Sequence, residues 1–466
     1  MTSATDALRS ERVLAPLLLG TWAASIALAP TLTLKLALAA PAVLLPVSLW
    51  ALEAPSRWIA CFFAAALLLP PLPIQLGDTG PHPSLWFAAL GVMAGMLGIS
   101  SWRIRFSGVR RALVVFFLVL CLSVASAAFY SGVAIAAGSL MRVALFGVGI
   151  YVFFFTADGP GKNEDSLSML RLLYWVAVAS ALFACVDFYF QFPAPAGYGA
   201  QYLFLDSGIY RRAQGLFYES STLGNFCAFF LVMIAVSISR PRAEVPLSRK
   251  ALACGGAVFL AAMVLSYSRS SALNALTALV VLAGLNRARI RLARLAAILI
   301  SGTAAAAVLI ARVFPQFLEV YWLRFSSSAE YLTTATEAVF SGRLASWRSL
   351  LEWIAAHPWQ AWLGIGYKTL PYTNHLGSPI VGDNTYLTLL VETGVFGVAA
   401  LLWLCVAILR ASYRAARSTD STRAFAGTWM LCFWCGQMVQ MLSGDLLTYW
   451  RVLPLYFWVL AWAVRA

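Results

Sequence analysis

Residues 111–130 read RALVVFFLVLCLSVASAAFY, an apolar stretch with a single charged residue at its start. About 20 residues of this kind are enough to cross the hydrocarbon core of a bilayer as an α-helix. The rest of the chain has the same character, since 61% of its 466 residues are hydrophobic and only 11% are charged. A soluble domain carries about 25% charged residues. The sequence therefore excludes a soluble protein and predicts an all-α, polytopic integral membrane helical bundle.

Further apolar stretches of this length lie on both sides of the first. Together they give 14 candidate spans, near 13–29, 31–51, 58–74, 84–100, 111–130, 133–156, 167–190, 222–239, 250–267, 271–286, 294–314, 385–410, 424–443 and 449–464. Very short turns inside the first pair and inside 111–156 leave a predicted total of 12 to 14 spans.

Two segments between the candidate spans are too long to be turns. The second of them, 314–383, includes helix-like stretches such as 342–356 and has too many apolar residues for a disordered linker. We therefore predict an N-terminal bundle over 1–313, which carries the other long loop at 191–221. A partly helical cap over 314–383 follows between the eleventh and twelfth spans, and C-terminal transmembrane helices cover 384–466.

The basic residues indicate how the bundle is oriented. Most of the 33 lysines and arginines fall in alternate loops, including the short basic loops 102–111 and 286–294. Short cytoplasmic loops of membrane proteins are enriched in these residues. The alternation predicts cytoplasmic N- and C-termini and places both long segments on the external face.

The same distribution limits the partners and cofactors. A net charge of +14 on a soluble protein would raise the prospect of nucleic-acid binding, but here the charges flank spans, so we expect membrane lipids and no nucleic acid as partners. All eight cysteines lie in apolar stretches, and the three histidines lack zinc spacing. No metal and no cofactor is predicted.

Arg142 lies about nine residues into its candidate span, where a charge is costly unless it faces a partner or a wet cavity. It is a candidate anion-binding residue in the outer half of the bilayer, and the alternative is a structural pair with Asp187. Other basic residues near span ends are expected to reach the lipid headgroups; these are Lys35, Arg171, Arg312, Arg324 and Arg451.

Five more arginines are candidates for a predicted anion site. Arg211 and Arg212 precede a glycine and Glu219, and two guanidinium groups match phosphate oxygens well; headgroup anchoring is the alternative. Arg269 occupies a very short external turn among serines. Arg343 and Arg348 are five residues apart, about 140° around a helix, so only one is expected to point at a site.

Three residues are candidate general bases. Asp383 directly precedes the span that starts near residue 385, where its alternative role is a helix N-cap. His375 in the cap is the second, with an ordinary surface histidine as the alternative, and Glu219 is the third. Glu392, about two turns into the same span, is expected to face protein rather than lipid.

These segments resemble, in their order along the chain, the O-antigen ligase and O-antigen polymerase family of bacterial membrane glycosyltransferases. The resemblance covers about 200–400 and rests on RAQGLFYES (212–220), SYSR (266–269), SGR (341–343) with Trp347-Arg348, His357-Pro358 with GIG (364–366), DNTYL (383–387) and ETGVFG (392–397).

The resemblance implies transfer of a glycan from an undecaprenyl-pyrophosphate carrier on the periplasmic face of the inner membrane, with inversion and without a metal. The acceptor would be lipid A–core in a ligase, or another saccharide on a carrier in a polymerase. The family's arginines map onto Arg142, Arg212, Arg269 and either Arg343 or Arg348. Ligases of the family usually carry a histidine where this chain has Asp383, which favours a polymerase or another surface-polysaccharide transferase.

A transporter or flippase of lipid-linked sugars is the alternative from another class. It would require charged residues along a path through the membrane and broken helices near its midplane. Apart from Arg142 and Asp187, the sequence places few charges at that depth, which favours the enzyme.

Overall fold

The computed structural model describes residues 18–72, 80–106, 108–163, 166–194, 199–205, 208–240, 247–285 and 343–465, together with residues 308 and 312. These residues are mostly helical, as the sequence predicts. The helices are α1 Leu18–Leu28, α2 Leu32–Glu53, α3 Arg57–Leu68, α4 Ser84–Leu97, α5 Val109–Ser131, α6 Val133–Asp158, α7 Ser166–Phe190, α8 Ser220–Ile238, α9 Arg249–Leu265, α10 Arg269–Leu285, α11 Arg343–Ala356, α12 Gln360–Leu363, α13 Thr385–Ala416, α14 Ser421–Gln440 and α15 Leu453–Val464.

Five of these helices are long and apolar enough to cross a membrane: α5, α6, α7, α8 and α13. Others, including α3, α4, α10 and α15, are apolar but shorter. Large apolar side chains such as Leu122 and Val280 remain exposed on the outside of the bundle, which suits a lipid surrounding. The chain is thus a multi-pass membrane protein. The total of 12 to 14 spans stays a prediction, and the candidate span 294–314 and the cap before Arg343 lie almost wholly outside the described residues.

Local sequence explains where the helices end. Pro70 and Pro71 follow the end of α3 and cannot continue a helix. Gly132, with φ +87°, is the one residue between α5 and α6, and that backbone conformation favours glycine. The last helix begins at Leu453, later than predicted, because the preceding residues form a 3-10 turn over Leu446–Thr448.

The loops gather at two ends of the bundle. At the end formed by the loops after α4, α6, α8 and α13, which we call the basic end, Arg110 makes a bidentate ion pair with Asp158 at 2.7 and 2.8 Å. Arg423 donates there to the carbonyl oxygen of Ala463 at 3.0 Å. The opposite end, which we call the site end, holds the loops before α8, between α9 and α10, before α13 and between α14 and α15.

An unbroken set of polar contacts crosses the buried interior. Asn225 Nδ2 of α8 donates to the amide oxygens of Gln437 and Gln440 on α14, each at 2.7 Å. Asn274 of α10 donates to the same two oxygens, and Tyr456 of α15 donates to Asn225. Side-chain hydrogen bonds of this kind hold membrane helices together, and here they fix the four helices whose ends carry the site.

Helix α13 is broken ten residues from its start. Gly394 has φ +70° and ψ −170° inside an otherwise helical run. The carbonyl oxygens of Val391 and Glu392 accept instead from the backbone N–H groups of Ile365 and Gly366, at 3.1 and 2.8 Å. A Cβ on Gly394 would overlap the backbone of the segment just before Ile365. The part of the cap around residues 362–366 therefore docks into the break, an arrangement we call the cap dock.

Arg451 fastens the loop before α8 to α3. It is 4% exposed and donates to the carbonyl oxygens of Ala66, Leu69 and Leu216, the second at 3.1 Å. The expectation that Arg451 reaches lipid headgroups is wrong, because the carbonyl groups left free at the end of α3 lie beside it and can satisfy a buried guanidinium group.

Candidate functional site

The site begins at a two-stranded hairpin that sends two neighbouring arginines in different directions. Strand β1, Tyr202–Leu205, pairs antiparallel with β2, Gly208–Arg211. Arg211 pairs with Asp187 at 3.3 Å and donates to the carbonyl oxygen of Phe192 at 2.9 Å. Arg212 Nε donates to the carbonyl oxygen of Ser266 at 3.0 Å. Successive residues of an extended chain point to opposite sides, so Arg212 reaches the site and Arg211 does not.

The contact with Ser266 brings Arg212 to the turn that carries Arg269. The backbone N–H of Ala213 also donates to the carbonyl oxygen of Leu265 at 3.0 Å. In the turn itself, Ser268 Oγ bonds Ser271 Oγ at 2.8 Å, and Arg269 is the exposed first residue of α10. Two predicted arginines from separate segments are therefore brought together at the site end.

A third arginine arrives from the cap. Arg343 begins α11, and its Nε lies 3.3 Å from Asp383 Oδ2. Arg348, five residues along the same helix, is exposed. Asn384, not Asp383, caps α13, since its side chain accepts from the N–H groups of Tyr386 and Leu387.

The charges of this group act on one another. The pKa of Arg212 is lowered to about 10, chiefly by burial and also by the like charges of Arg343 and Arg269, while Tyr449 and Glu219 act in the opposite direction. Arg212 still carries its charge near neutral pH, which lies about three units lower. We call Arg212, Arg269 and Arg343 the arginine group. This group concentrates positive charge, which is opposed by the carboxylates of Glu219 and Asp383.

Glu219 is one of these two carboxylates. It directly precedes α8, is half-buried, and accepts from Ser221 Oγ at 2.8 Å. Burial raises its pKa above the ordinary value, and the negative charges of Asp445 and Asp383 raise it further, whereas Ser221 and Lys368 lower it. A carboxylate with a raised pKa is a better proton acceptor near neutral pH.

Sequence reasoning missed three residues beside Glu219. Lys368 forms a buried ion pair with Asp445, and Tyr449, also buried, lies beside Ser221. Lys368 is the only lysine of the predicted cap, and Asp445 lies in the short loop between the last two predicted spans. A single lysine in the cap and an aspartate in a short loop between spans are signals of a functional charge, but neither residue belongs to one of the motifs used above.

Arg142 lies near the site, against the cap. Its guanidinium group sits 4.3 Å from the ring centroid of Tyr372, and it lowers the pKa of the buried Tyr367 against the rise caused by burial. Asp187, named above as the alternative partner of Arg142, pairs with Arg211. Arg142 thus faces the segment 367–372 of the cap.

His375 stands apart from the arginine group. It is exposed, its ring centroid lies 5.0 Å from that of Tyr130 and 6.1 Å from that of Trp353, and its Nε2 lies 3.4 Å from Gln360 Nε2. The structure therefore brings two of the three candidate bases, Glu219 and Asp383, to the arginine group. Glu392 is 1% exposed, as expected of a residue that faces protein.

The fold and the site together define a class: a multi-pass helical membrane protein with arginines and carboxylates gathered at one end of its bundle. Residues 254–402 match the family model described as O-antigen ligase. The predicted resemblance to the O-antigen ligase and polymerase family is thus confirmed over that segment, and it indicates an enzyme of the membrane glycosyltransferase type. The segment contains Arg269, Arg343 and Asp383. No curated protein sequence matches the chain.

Proposed function

We propose that the protein transfers a glycan from an undecaprenyl-pyrophosphate carrier to a saccharide or lipid A–core acceptor, in lipopolysaccharide or exopolysaccharide synthesis. The observation that carries this proposal is the arginine group, which unites residues from three segments at the site end. Three guanidinium groups supply the positive charge that a diphosphate requires. The O-antigen ligase match over 254–402 supports the same reaction class.

The reaction is a single displacement with inversion at the anomeric carbon. The acceptor hydroxyl oxygen forms the new bond to that carbon while the bond to the carrier's phosphate oxygen breaks. Negative charge grows on the leaving diphosphate, where the arginine group stabilises it. The hydroxyl proton passes to Glu219, whose raised pKa suits it as a general base. Asp383 holds Arg343 in place through their ion pair.

The site end faces the periplasm in this proposal, and both termini lie in the cytoplasm of a bacterial inner membrane. The basic end carries Arg103, Arg105, Arg410, Arg414 and Arg417 among others, and short cytoplasmic loops are rich in such residues. A lipid-linked donor can then enter the site from the outer leaflet.

Transfer by the purified protein tests the proposal. The protein is reconstituted with an undecaprenyl-pyrophosphate-linked oligosaccharide and an acceptor, and glycan transfer is followed with and without EDTA. We expect transfer in both cases, because the arginine group takes the part that a metal ion plays in other phosphate enzymes. Absence of any transfer to either acceptor type would overturn the proposal, and transfer that EDTA abolishes would overturn its metal-independent form.

The surface glycan of a deletion strain separates ligase from polymerase. Capped core with a single repeat unit indicates a lost polymerase, whereas bare core with accumulated carrier-linked polymer indicates a lost ligase. Asp383 stands where ligases of the family usually carry histidine, so we expect the polymerase result.

A transporter or flippase of lipid-linked sugars is the second candidate, because the break at Gly394 is a feature that such proteins show. Here, however, the freed carbonyl groups accept from the cap dock. Proteoliposomes loaded with labelled donor separate the two functions. Movement of donor across the bilayer without any transfer would favour the transporter.

A further inference from the structure

A buried ion pair lies near the proposed base, because Glu219 accepts from Ser221, Ser221 bonds Tyr449, and a tight turn over 445–448 joins Tyr449 to the pair. Lys368 Nζ contacts Asp445 Oδ2, and the two side chains are 6% and 14% exposed. Asp445 Oδ1 is also buried and has no hydrogen-bond partner among the described residues. A buried ion pair contributes little net stability, because desolvation of the two charges costs about as much as their attraction returns. Stability alone therefore does not explain this pair.

Both partners are fixed to the first part of α13. Lys368 has φ +58°, a strained conformation for a residue with a side chain. It follows Gly366, whose N–H donates to the carbonyl oxygen of Glu392, at the end of the cap dock. Asp445 is fixed by its neighbours. Thr385 Oγ1 donates to the carbonyl oxygen of Gly444 at 2.6 Å and accepts from the N–H of Leu446 at 3.1 Å, so both residues that flank Asp445 are bonded to the start of α13.

We infer that Lys368 and Asp445 are a positioning pair that holds a fixed charge distribution beside Glu219 and so sets how readily the base accepts the proton of the acceptor hydroxyl. The inference rests on the proposed function only for the role of Glu219 as base.

The electrostatics around Glu219 give the pair two opposite effects. Asp445 raises the pKa of Glu219, and Lys368 lowers it by less. The other groups that face Glu219 are Ser221, Asp383, Tyr449 and Arg212, and the substitutions in the pair leave all four side chains in place. Removing either charge should therefore move the titration of Glu219, and in opposite directions.

The test uses Lys368→Met, Asp445→Asn and the double variant in the full-length protein. Infrared difference spectra against Glu219→Gln follow protonation of the Glu219 carboxyl group directly, and the acidic limb of the rate–pH profile follows it through activity. We expect the midpoint to fall by about one pH unit in Asp445→Asn and to rise by a smaller amount in Lys368→Met. In the double variant we expect a smaller fall, because Asp445 has the larger effect.

The double variant keeps the test decisive if a single variant fails to fold, since it leaves no unpaired buried charge. Midpoints that move in the same direction in both single variants would overturn the inference. So would a double variant whose midpoint is unchanged or higher. If the wild type transfers no glycan, the proposed function fails, while the infrared midpoints still decide the role of the pair.

Discussion

Among the described residues, Arg212 uses one side-chain N–H group on the protein itself, since Nε donates to the carbonyl oxygen of Ser266. This contact orients the planar guanidinium group and leaves its remaining donors for an anion. A lysine has no such fork, so the two residues are not interchangeable here. Position as well as charge decides what Arg212 can do.

Replacement of Arg212 by alanine is expected to lower kcat by about 10²- to 10³-fold, the loss typical of one donor to a developing negative charge. Arg212→Lys should recover only part of this. Steady-state transfer in reconstituted vesicles measures both. Arg348→Ala is the control, since that arginine is exposed on the helix that Arg343 begins. Equal rates in Arg212→Ala and the wild type would contradict the role.

Replacement of Glu219 by glutamine is expected to lower kcat by about 10²- to 10⁴-fold, because the amide cannot accept a proton. In the wild type the rate should fall as the pH is lowered through the pKa of Glu219, since only the ionised form is a base. Burial places that fall above the ordinary pKa of about 4.3 for glutamate. The rate–pH profile measures this limb.

His375→Ala is the matched comparison, because that residue was also a candidate base but contacts Tyr130, Trp353 and Gln360 instead. We expect transfer close to the wild-type rate. A full loss in His375→Ala with activity retained in Glu219→Gln would reverse the assignment of the base.

Among single residues, sequence reasoning was most successful where a motif carried the charge. Arg212, Arg269 and Arg343 were found in that way. The sequence alone could not predict which of Arg211 and Arg212 faces the site, because the side that each residue of an extended chain faces is known only once the hairpin is known. Lys368 and Asp445 were missed because their importance comes from their contact with each other, across a sequence separation of 77 residues.

At the scale of elements, the cap dock makes the strictest demands on the sequence. Gly394 has φ +70°, and Gly364, with the same φ, lies against the carbonyl group of Glu392. Left-handed backbone costs a residue with a side chain about 1–2 kcal/mol, and the missing side chains also allow the two backbones to touch. Both glycines are therefore required by geometry.

Gly394→Ala is expected to destabilise the dock by about 2 kcal/mol or more, from the strained backbone and the overlap with Trp362. Thermal unfolding in detergent and limited proteolysis of the cap measure the effect. The control is Gly256→Ala in α9, where the nearest atom to a new Cβ would be 3.7 Å away. Equal stability of the two variants would show that the dock is not as tight as described.

Hydropathy predicted the helices well, because lipid and buried contacts both select apolar residues over about 20 positions. The candidate spans near 133–156 and 167–190 correspond to α6 and α7 within two residues at each end. Hydropathy gave no sign of the break in α13. A glycine inside an apolar run, such as Gly256, is usually helical, and only the docked segment shows why Gly394 is not.

At the scale of the whole molecule, arginines lie at both ends of the bundle and make different contacts at each. Arg110, Arg240 and Arg423 contact backbone or side-chain groups at the basic end, and the arginine group lies at the site end. Counting lysines and arginines along the chain predicts which loops are cytoplasmic, since that rule depends on sequence alone. The meeting of 212, 269 and 343 at one place required the fold.

Cysteine labelling of whole cells tests the orientation. In a cysteine-free background, Ser378→Cys at the site end should react with a membrane-impermeant maleimide from the periplasm. Thr419→Cys, exposed at the basic end, should react only after the inner membrane is opened. The reverse pattern would place the site in the cytoplasm and exclude transfer at the periplasmic face.

The cap dock also determines how related proteins could be recombined. Residues 362–366 and the broken part of α13 complete each other's backbone hydrogen bonds, so a chimaera that exchanges the cap alone would join two surfaces that were never matched. The unit of exchange is the stretch from Arg343 through the helix beyond Gly394. Acceptor preference should be transferred between homologues by grafts of that length and lost in shorter ones.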